Sequence, residues 1–125
     1  MALLTTEGLN RRAELTGGIS VIGFTDFILG SDTDAEAVGV VYADLTVITT
    51  NGGERTAADA ITLEAGSVCQ WVKAYAFTGV LAINQFALAE PVGDGNKLCI
   101  YHKFASTKNV VNLDTATITV RLTES

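Results

Sequence analysis

The stretch Thr115-Ala116-Thr117-Ile118-Thr119-Val120-Arg121-Leu122-Thr123 decides the fold class. Apolar and polar residues alternate along it without a break, and successive side chains of a β-strand point to opposite faces of a sheet. The pattern therefore predicts a strand with one face in a core and one face in solvent. The inward residues are predicted to be Ala116, Ile118, Val120 and Leu122.

Working back along the chain, further strands are predicted between turn signals. Val68 to Phe77 alternates, and Val80 to Leu88 is nearly apolar on both faces, which is typical of a central strand. Leu45 to Thr50 is predicted as a strand that runs into the turn Asn51-Gly52-Gly53. Seven or eight short strands at such intervals predict an all-β fold, a jelly-roll-like or Ig-like antiparallel β-sandwich that covers residues 19–125 as a single domain.

Two segments are not predicted as strands. Residues 1–18 are predicted to form an N-terminal arm or a short helix, and Leu4 to Leu15 is the only plausible helix of the chain. Thr6 is a candidate N-cap for it, and Glu7 suits the positive end of the helix dipole. Ala105 to Leu113 is predicted to be a polar connection.

The composition excludes several classes of function. The 125 residues carry a formal net charge of −6, which disfavours binding to nucleic acid or to an anionic membrane surface. Charged residues make up 18% and hydrophobic residues 48% of the chain. This balance fits two interpretations, a small globule of ordinary apolar surface or a subunit whose apolar surface is covered by partners. No signal peptide or membrane-spanning run is recognisable, so we expect synthesis in a cytoplasm.

The candidate catalytic and metal-binding residues are weak. His102 is the only histidine and falls within a predicted strand, with no nucleophile–base arrangement in the pattern around it. Asp32-Thr33-Asp34-Ala35-Glu36 resembles the start of a calcium loop, but Ala37 and Ala43 stand where an EF-hand needs Gly and Glu. Cys69 and Cys99 lack metal-site spacing. We therefore expect no enzyme activity, no cofactor and no metal.

Trp71 and Tyr75 leave two interpretations open. They share one face of a predicted strand, so that they form either part of the core or an exposed sugar-binding surface. The core interpretation is favoured, because aromatic residues that alternate along a strand usually pack inward.

Four stretches in order resemble a family of small structural proteins of tailed bacteriophages. They are Leu4-Thr5-Thr6-Glu7-Gly8, Phe27-Ile28-Leu29-Gly30-Ser31, Ile83-Asn84-Gln85-Phe86-Ala87-Leu88, and Lys108 to Leu122. Together they span most of the chain. Where the family pattern has Glu-x-Gly-Leu, this chain has Gln85-Phe86-Ala87-Leu88.

The resemblance implies a virion component without catalytic residues or cofactor. One expected function is that of a capsid decoration (cement) protein, whose partners are the major capsid protein and copies of itself. The alternative is a tail or tail-fibre-associated module that contacts a host glycan or other tail proteins. The short, self-contained chain favours decoration, because a fibre needs a long repetitive or coiled-coil shaft.

Candidate assembly contacts come from two segments, the N-terminal residues 1–18 and the acidic loop Ser31 to Glu36. Termini and loops commonly carry binding contacts while a sandwich stays rigid. The residues expected to reach a neighbouring subunit are Leu3, Leu4, Arg11, Arg12, Asp32 and Asp34.

Overall fold

A computed structural model describes residues 3–16, 23–32, 39–64, 68–91 and 97–123. Eight strands, one α-helix and one 3-10 turn make up its regular structure. In chain order they are β1 Leu3–Leu4, α1 Thr6–Thr16, β2 Asp26–Gly30, the 3-10 turn Tyr42–Asp44, β3 Thr56–Ala57, β4 Ala60–Glu64, β5 Val68–Ala76, β6 Leu81–Ala89, β7 Leu98–Val110 and β8 Thr115–Thr123.

The strands form two antiparallel sheets that face each other. The larger sheet has the order β1-β7-β6-β2-β3, and the smaller has the order β4-β5-β8. Because strands of both sheets contribute side chains to one core, the architecture is the all-β sandwich that the alternation predicts. β6 lies between β7 and β2 and is buried along almost its whole length, as its apolar sequence predicts.

The core between the sheets is aromatic and aliphatic. Phe27 contacts Phe86 at a ring-centroid distance of 5.2 Å, and Tyr75 stacks on Phe77 at 5.8 Å. Trp71 is buried and donates its indole N–H to the carbonyl oxygen of Phe24 at 2.8 Å. Trp71 and Tyr75 are therefore core residues, and a sugar-binding face built on them is excluded.

A second, smaller cluster covers the outer face of the larger sheet. Ile28, Ala87, Ala89 and Leu98 form it, and side chains of the segment 39–47 pack over it. The strand predicted at Leu45 to Thr50 is wrong. The part of this region that the structure describes contains the 3-10 turn and one isolated bridge between Gly30 and Val47, since its apolar residues cover a sheet face.

α1 is held against the start of β7. Thr5, not the predicted Thr6, caps the helix, because its hydroxyl oxygen accepts the amide N–H of Gly8 at 3.0 Å. The Thr5 hydroxyl also donates to the carbonyl oxygen of Leu98 at 2.6 Å. Glu7 in the first turn forms an ion pair with Lys97 at 3.2 Å. The helix alternative thus holds for residues 6–16, which pack on the sandwich.

β7 is longer than the sequence predicts. The prediction of a polar connection from Ala105 to Leu113 is wrong, because the ladder with β6 continues to the pair Leu81–Val110. Between Ile83 and Gln85 the register shifts, so that four residues of β7 lie opposite Asn84 alone. The Asn84 side chain closes this bulge by accepting from the Thr107 hydroxyl at 2.7 Å.

A second bulge changes the face of one residue. The sequence alternation predicts that Leu98 and Ile100 share a face, but they belong to different clusters. Leu88 pairs with Ile100 whereas Ala89 pairs with Leu98, and the extra residue between them turns Leu98 to the outer face.

Candidate functional site

The structure leaves an apolar groove of about 380 Å³ between β7 and β8. These two strands follow each other in the chain but belong to different sheets, so no ladder joins them. The groove is lined by Leu4, Phe86, Ile100, His102, Phe104, Ile118, Thr119, Val120, Arg121 and Leu122.

The inward side of β8 explains why the groove is open. Ile118, Val120 and Leu122 point toward the core as predicted, but each remains only half-buried. A smaller cavity of about 100 Å³ adjoins the groove and shares Phe104 and Ile118 with it. The inner face of β8 therefore has more apolar surface than the opposite sheet covers.

His102 lies on the wall of this groove. It pairs with Phe86 across the ladder, and its ring meets that of Phe104 edge-on at 5.1 Å. Arg121 donates to the side-chain oxygen of Gln70 at 2.8 Å. The groove has a mostly apolar lining, with His102 in its wall and Arg121 exposed beside it, a chemistry suited to apolar side chains rather than to a polar substrate.

A first exposed apolar surface, which we call the tip patch, consists of Val80, Val111 and Leu113. Val80 and Val111 lie directly beyond the last ladder pair of β6 and β7, and Val80 is 73% exposed. Leu113 is 84% exposed and has a backbone φ of +75°, a conformation that is strained for a leucine. Its amide N–H donates to the carbonyl oxygen of Phe77 at 2.9 Å, which fixes the turn beside β5.

A second exposed surface, the β4 patch, consists of Ile61 and Leu63. In the ladder Ile61 lies opposite Trp71 and Leu63 opposite Cys69, so both face inward. Nevertheless Leu63 is 81% exposed, because β4 is the edge strand of its sheet and the larger sheet does not reach beneath it. Leu63 lies opposite Cys69 and Leu113 lies beside Phe77, eight residues further along the same chain segment, which is about 26 Å at roughly 3.3 Å per strand residue.

Of the predicted assembly contacts, the structure brings one to the groove. Leu4 is half-buried and lines it, while its backbone pairs with Ile100. Leu3 pairs in the same way with Tyr101, and its side chain lies outside the described part of the structure.

The remaining predicted contacts are dispersed. Arg11 and Arg12 lie on α1, where Arg12 is half-buried and the side chain of Arg11 is not described. Asp32 is half-buried, and its amide N–H donates to the side-chain oxygen of Gln85 at 3.3 Å. Asp34 lies outside the described residues. Neither exposed patch was predicted from the sequence, although Leu113 within a polar stretch is a signal that could have indicated the tip patch.

The buried charges of the sandwich serve packing. Asp26 and Arg55 form an ion pair at 2.9 Å, with side chains only 9% and 10% exposed. Arg55 also donates to the backbone carbonyl oxygen of Glu90 and lies 5.4 Å from the ring centre of Tyr42. These contacts tie β2, β3 and the end of β6 together rather than forming a reactive centre.

Among the described residues, Tyr75 and Asp59 have pKa values displaced from the ordinary range. Burial raises the pKa of the Tyr75 phenol strongly, and the negative charge of Asp59 adds to this effect. The pKa of Asp59 is lowered, because its carboxylate accepts the amide N–H of Ala74 at 2.8 Å and the ammonium of Lys73 at 3.0 Å. Asp59 is a surface carboxylate and stays charged at neutral pH.

The two cysteines lie on different sheets and form no disulfide with each other, with Cys99 buried and Cys69 half-buried. Within the described ranges, no group of three or more His, Cys, Asp or Glu side chains is placed to hold a metal ion. Nor does any described helix have the length and apolar character needed to cross a bilayer.

Comparison of the chain with protein-family models, with curated proteins and with solved structures gave no match. Over its described residues, the chain is a β-sandwich with one open apolar side and two exposed apolar patches.

Proposed function

We propose that this chain is a non-enzymatic structural protein of a bacteriophage virion, a capsid decoration protein that bridges neighbouring subunits of the major capsid protein. The observation that carries the proposal is the pair of separate apolar patches. A bridging protein needs at least two binding surfaces, and the tip patch and the β4 patch lie near opposite ends of the sandwich.

The energetics of the patches favour this function. A leucine held at positive φ with its side chain in solvent weakens the fold without any internal packing in return. Such a residue gains its apolar contacts when a partner covers it, at roughly 25 cal/mol per Å² of apolar surface buried. A protein that binds only the assembled shell shifts the assembly equilibrium toward that shell. Two contacts made by one molecule act together, so that each contact can be modest and still stabilise the particle.

The resemblance to phage structural proteins supports the virion as the location. In the structure two of the four resembling stretches meet: β2 pairs with β6, and the side-chain amide of Asn84 donates to the carbonyl oxygen of Ser31 at 3.0 Å. They build the fold, and the resemblance therefore supports a shared framework rather than a shared site. The alternative is that the chain is a tail or tail-fibre module that contacts other tail proteins.

The test uses particles that lack this protein, to which purified protein is added back. We expect depleted particles to lose their contents at a lower temperature, and wild-type protein to restore the loss. Leu113→Asn, which tolerates positive φ, and Leu63→Thr, which suits a strand, each replace the most exposed leucine of one patch without disturbing the backbone. Each single variant should still bind the particle but stabilise it less than the wild type does, since only one of its two patches is intact.

The matched control is Leu9→Gln, which replaces an exposed leucine of α1 outside both patches. This variant should restore stability as the wild type does. Depleted particles as robust as complete ones, or imaging that finds the protein only on the tail, would refute the decoration proposal.

A further inference from the structure

β8 has an open edge within the described part of the structure. β8 is the outer strand of the smaller sheet, and the described residues place no strand on its other side. It is nine residues long and runs along β5 without a register shift. Edge strands are normally protected by lysine, proline, bulges or shortness, and β8 carries only Arg121 as a charged residue.

Both the backbone and the side chains of β8 suit the addition of another strand. The inward residues Ile118, Val120 and Leu122 are half-buried at the groove, so an adjoining strand would complete their burial. The outward residues are exposed threonines and Arg121, which suit a solvated outer face. Added strands bind by main-chain hydrogen bonds, with alternate side chains entering such a groove.

We propose that the occupant is a second copy of this chain, joined by antiparallel pairing of β8 with β8 to give a continuous six-stranded sheet. In the register that uses the whole strand, Thr115 lies opposite Thr123 and Thr119 lies opposite itself on the two-fold axis. An isologous contact of this kind is self-complementary by symmetry.

The residues of β8 match themselves in this register. On the inner face, Ile118 lies opposite Val120 of the second copy, so that apolar side chains meet across the axis. On the outer face, Thr117 lies opposite Arg121 of the second copy, and no two like charges meet. A slip by one residue would place inward side chains opposite outward ones, and the alternation therefore specifies the register.

This pairing deepens the proposed function, since a dimeric decoration protein presents each apolar patch twice. It needs no particle, however, and is tested on the purified full chain. A dimer that fails to stabilise particles would refute the decoration proposal alone, whereas a monomer would refute the β8 pairing alone.

The experiment measures the dimer dissociation constant by sedimentation for the wild type and three variants. Thr117→Lys places a lysine opposite Arg121 of the second copy at two symmetric positions, and we expect a dissociation constant about tenfold higher. The double variant Thr117→Lys/Arg121→Glu turns both repulsions into attractions and should restore dimerisation at least to the wild-type level.

The matched control is Thr62→Lys, the same substitution on an exposed threonine of β4, at the opposite edge of the same sheet. It should leave the dimer unchanged, and urea unfolding of every variant checks that the fold is intact. The proposal is overturned if the wild type is monomeric at about 0.1 mM, a concentration that populates dimers of micromolar affinity. It is equally overturned if Thr117→Lys dimerises like the wild type, or if the double variant does not recover.

Discussion

Replacing Gly8 by alanine tests how closely α1 packs on β7. In an exposed helix this change stabilises by about 1 kcal/mol, because alanine has the higher helix propensity. Here a Cβ atom on Gly8 would lie 2.5 Å from the carbonyl oxygen and 2.7 Å from the Cα of Cys99. Both atoms belong to the backbone of a paired strand, so no side-chain rotation can relieve the overlap.

We therefore expect Gly8→Ala to destabilise the protein instead of stabilising it. Overpacking costs roughly 1–3 kcal/mol, and the upper half of that range applies because the overlap is with backbone. After subtracting the propensity gain of about 1 kcal/mol, Gly8→Ala should lower the free energy of unfolding by about 1–2 kcal/mol. The Thr5 cap and its bond to Leu98 should loosen as the helix shifts outward.

Urea unfolding, followed by the fluorescence of the single tryptophan, Trp71, measures the effect. Asn10→Ala is the control, because Asn10 is exposed on the same helix and alanine there should stabilise by a few tenths of a kcal/mol. If Gly8→Ala also stabilises the protein, the close packing of α1 against the Cys99 backbone is refuted.

Three further predictions concern stability. Asp26→Ala should lower the free energy of unfolding in urea by about 3–5 kcal/mol, because it leaves the buried Arg55 guanidinium without its carboxylate. A cost below about 1 kcal/mol would contradict this account. The lowered pKa of Asp59 contributes stability that is present above about pH 4 and is lost as the pH falls through the folded-state pKa. Asp59→Asn should therefore lose less stability than the wild type as the pH falls below about 4, and parallel pH profiles would speak against this account. Ile118→Ala should lower the free energy of unfolding by about 1–2 kcal/mol because that side chain is half-buried, and Thr117→Ala on the exposed face should lower it by less than about 0.5 kcal/mol. Equal costs would disprove the assignment of faces in β8.

The candidate site was predicted only in part. Leu4 was expected to contact a partner and lines the groove. Of the two alternatives predicted for the N-terminus, an arm or a short helix, residues 3–16 form a strand and a helix fixed to β7. The prediction missed how firmly this segment is held because the partners of Thr5 and Glu7, at Leu98 and Lys97, are some ninety residues away. Side-chain capping between such distant segments leaves no periodic signal in the sequence.

The sequence by itself determined the fold class and the inward faces of the regular strands. β5, β6 and β8 have the alternation or the continuous apolar character that burial on one or two faces requires, and these patterns are local. The turn at Asn51-Gly52 was equally readable, because both residues take the positive φ values that asparagine and glycine tolerate.

Only the tertiary structure decided which surfaces stay open. Leu63 lies at an inward position of its strand, yet it is exposed because β4 is the edge strand of the smaller sheet. The two bulges of β7 likewise arise because β7 has more residues than β6 between the same ladder pairs, and this difference cannot be seen in the sequence of either strand alone. The open edge of β8 and the groove beside it follow from strand order, a property of long-range pairing that alternation within a strand cannot encode.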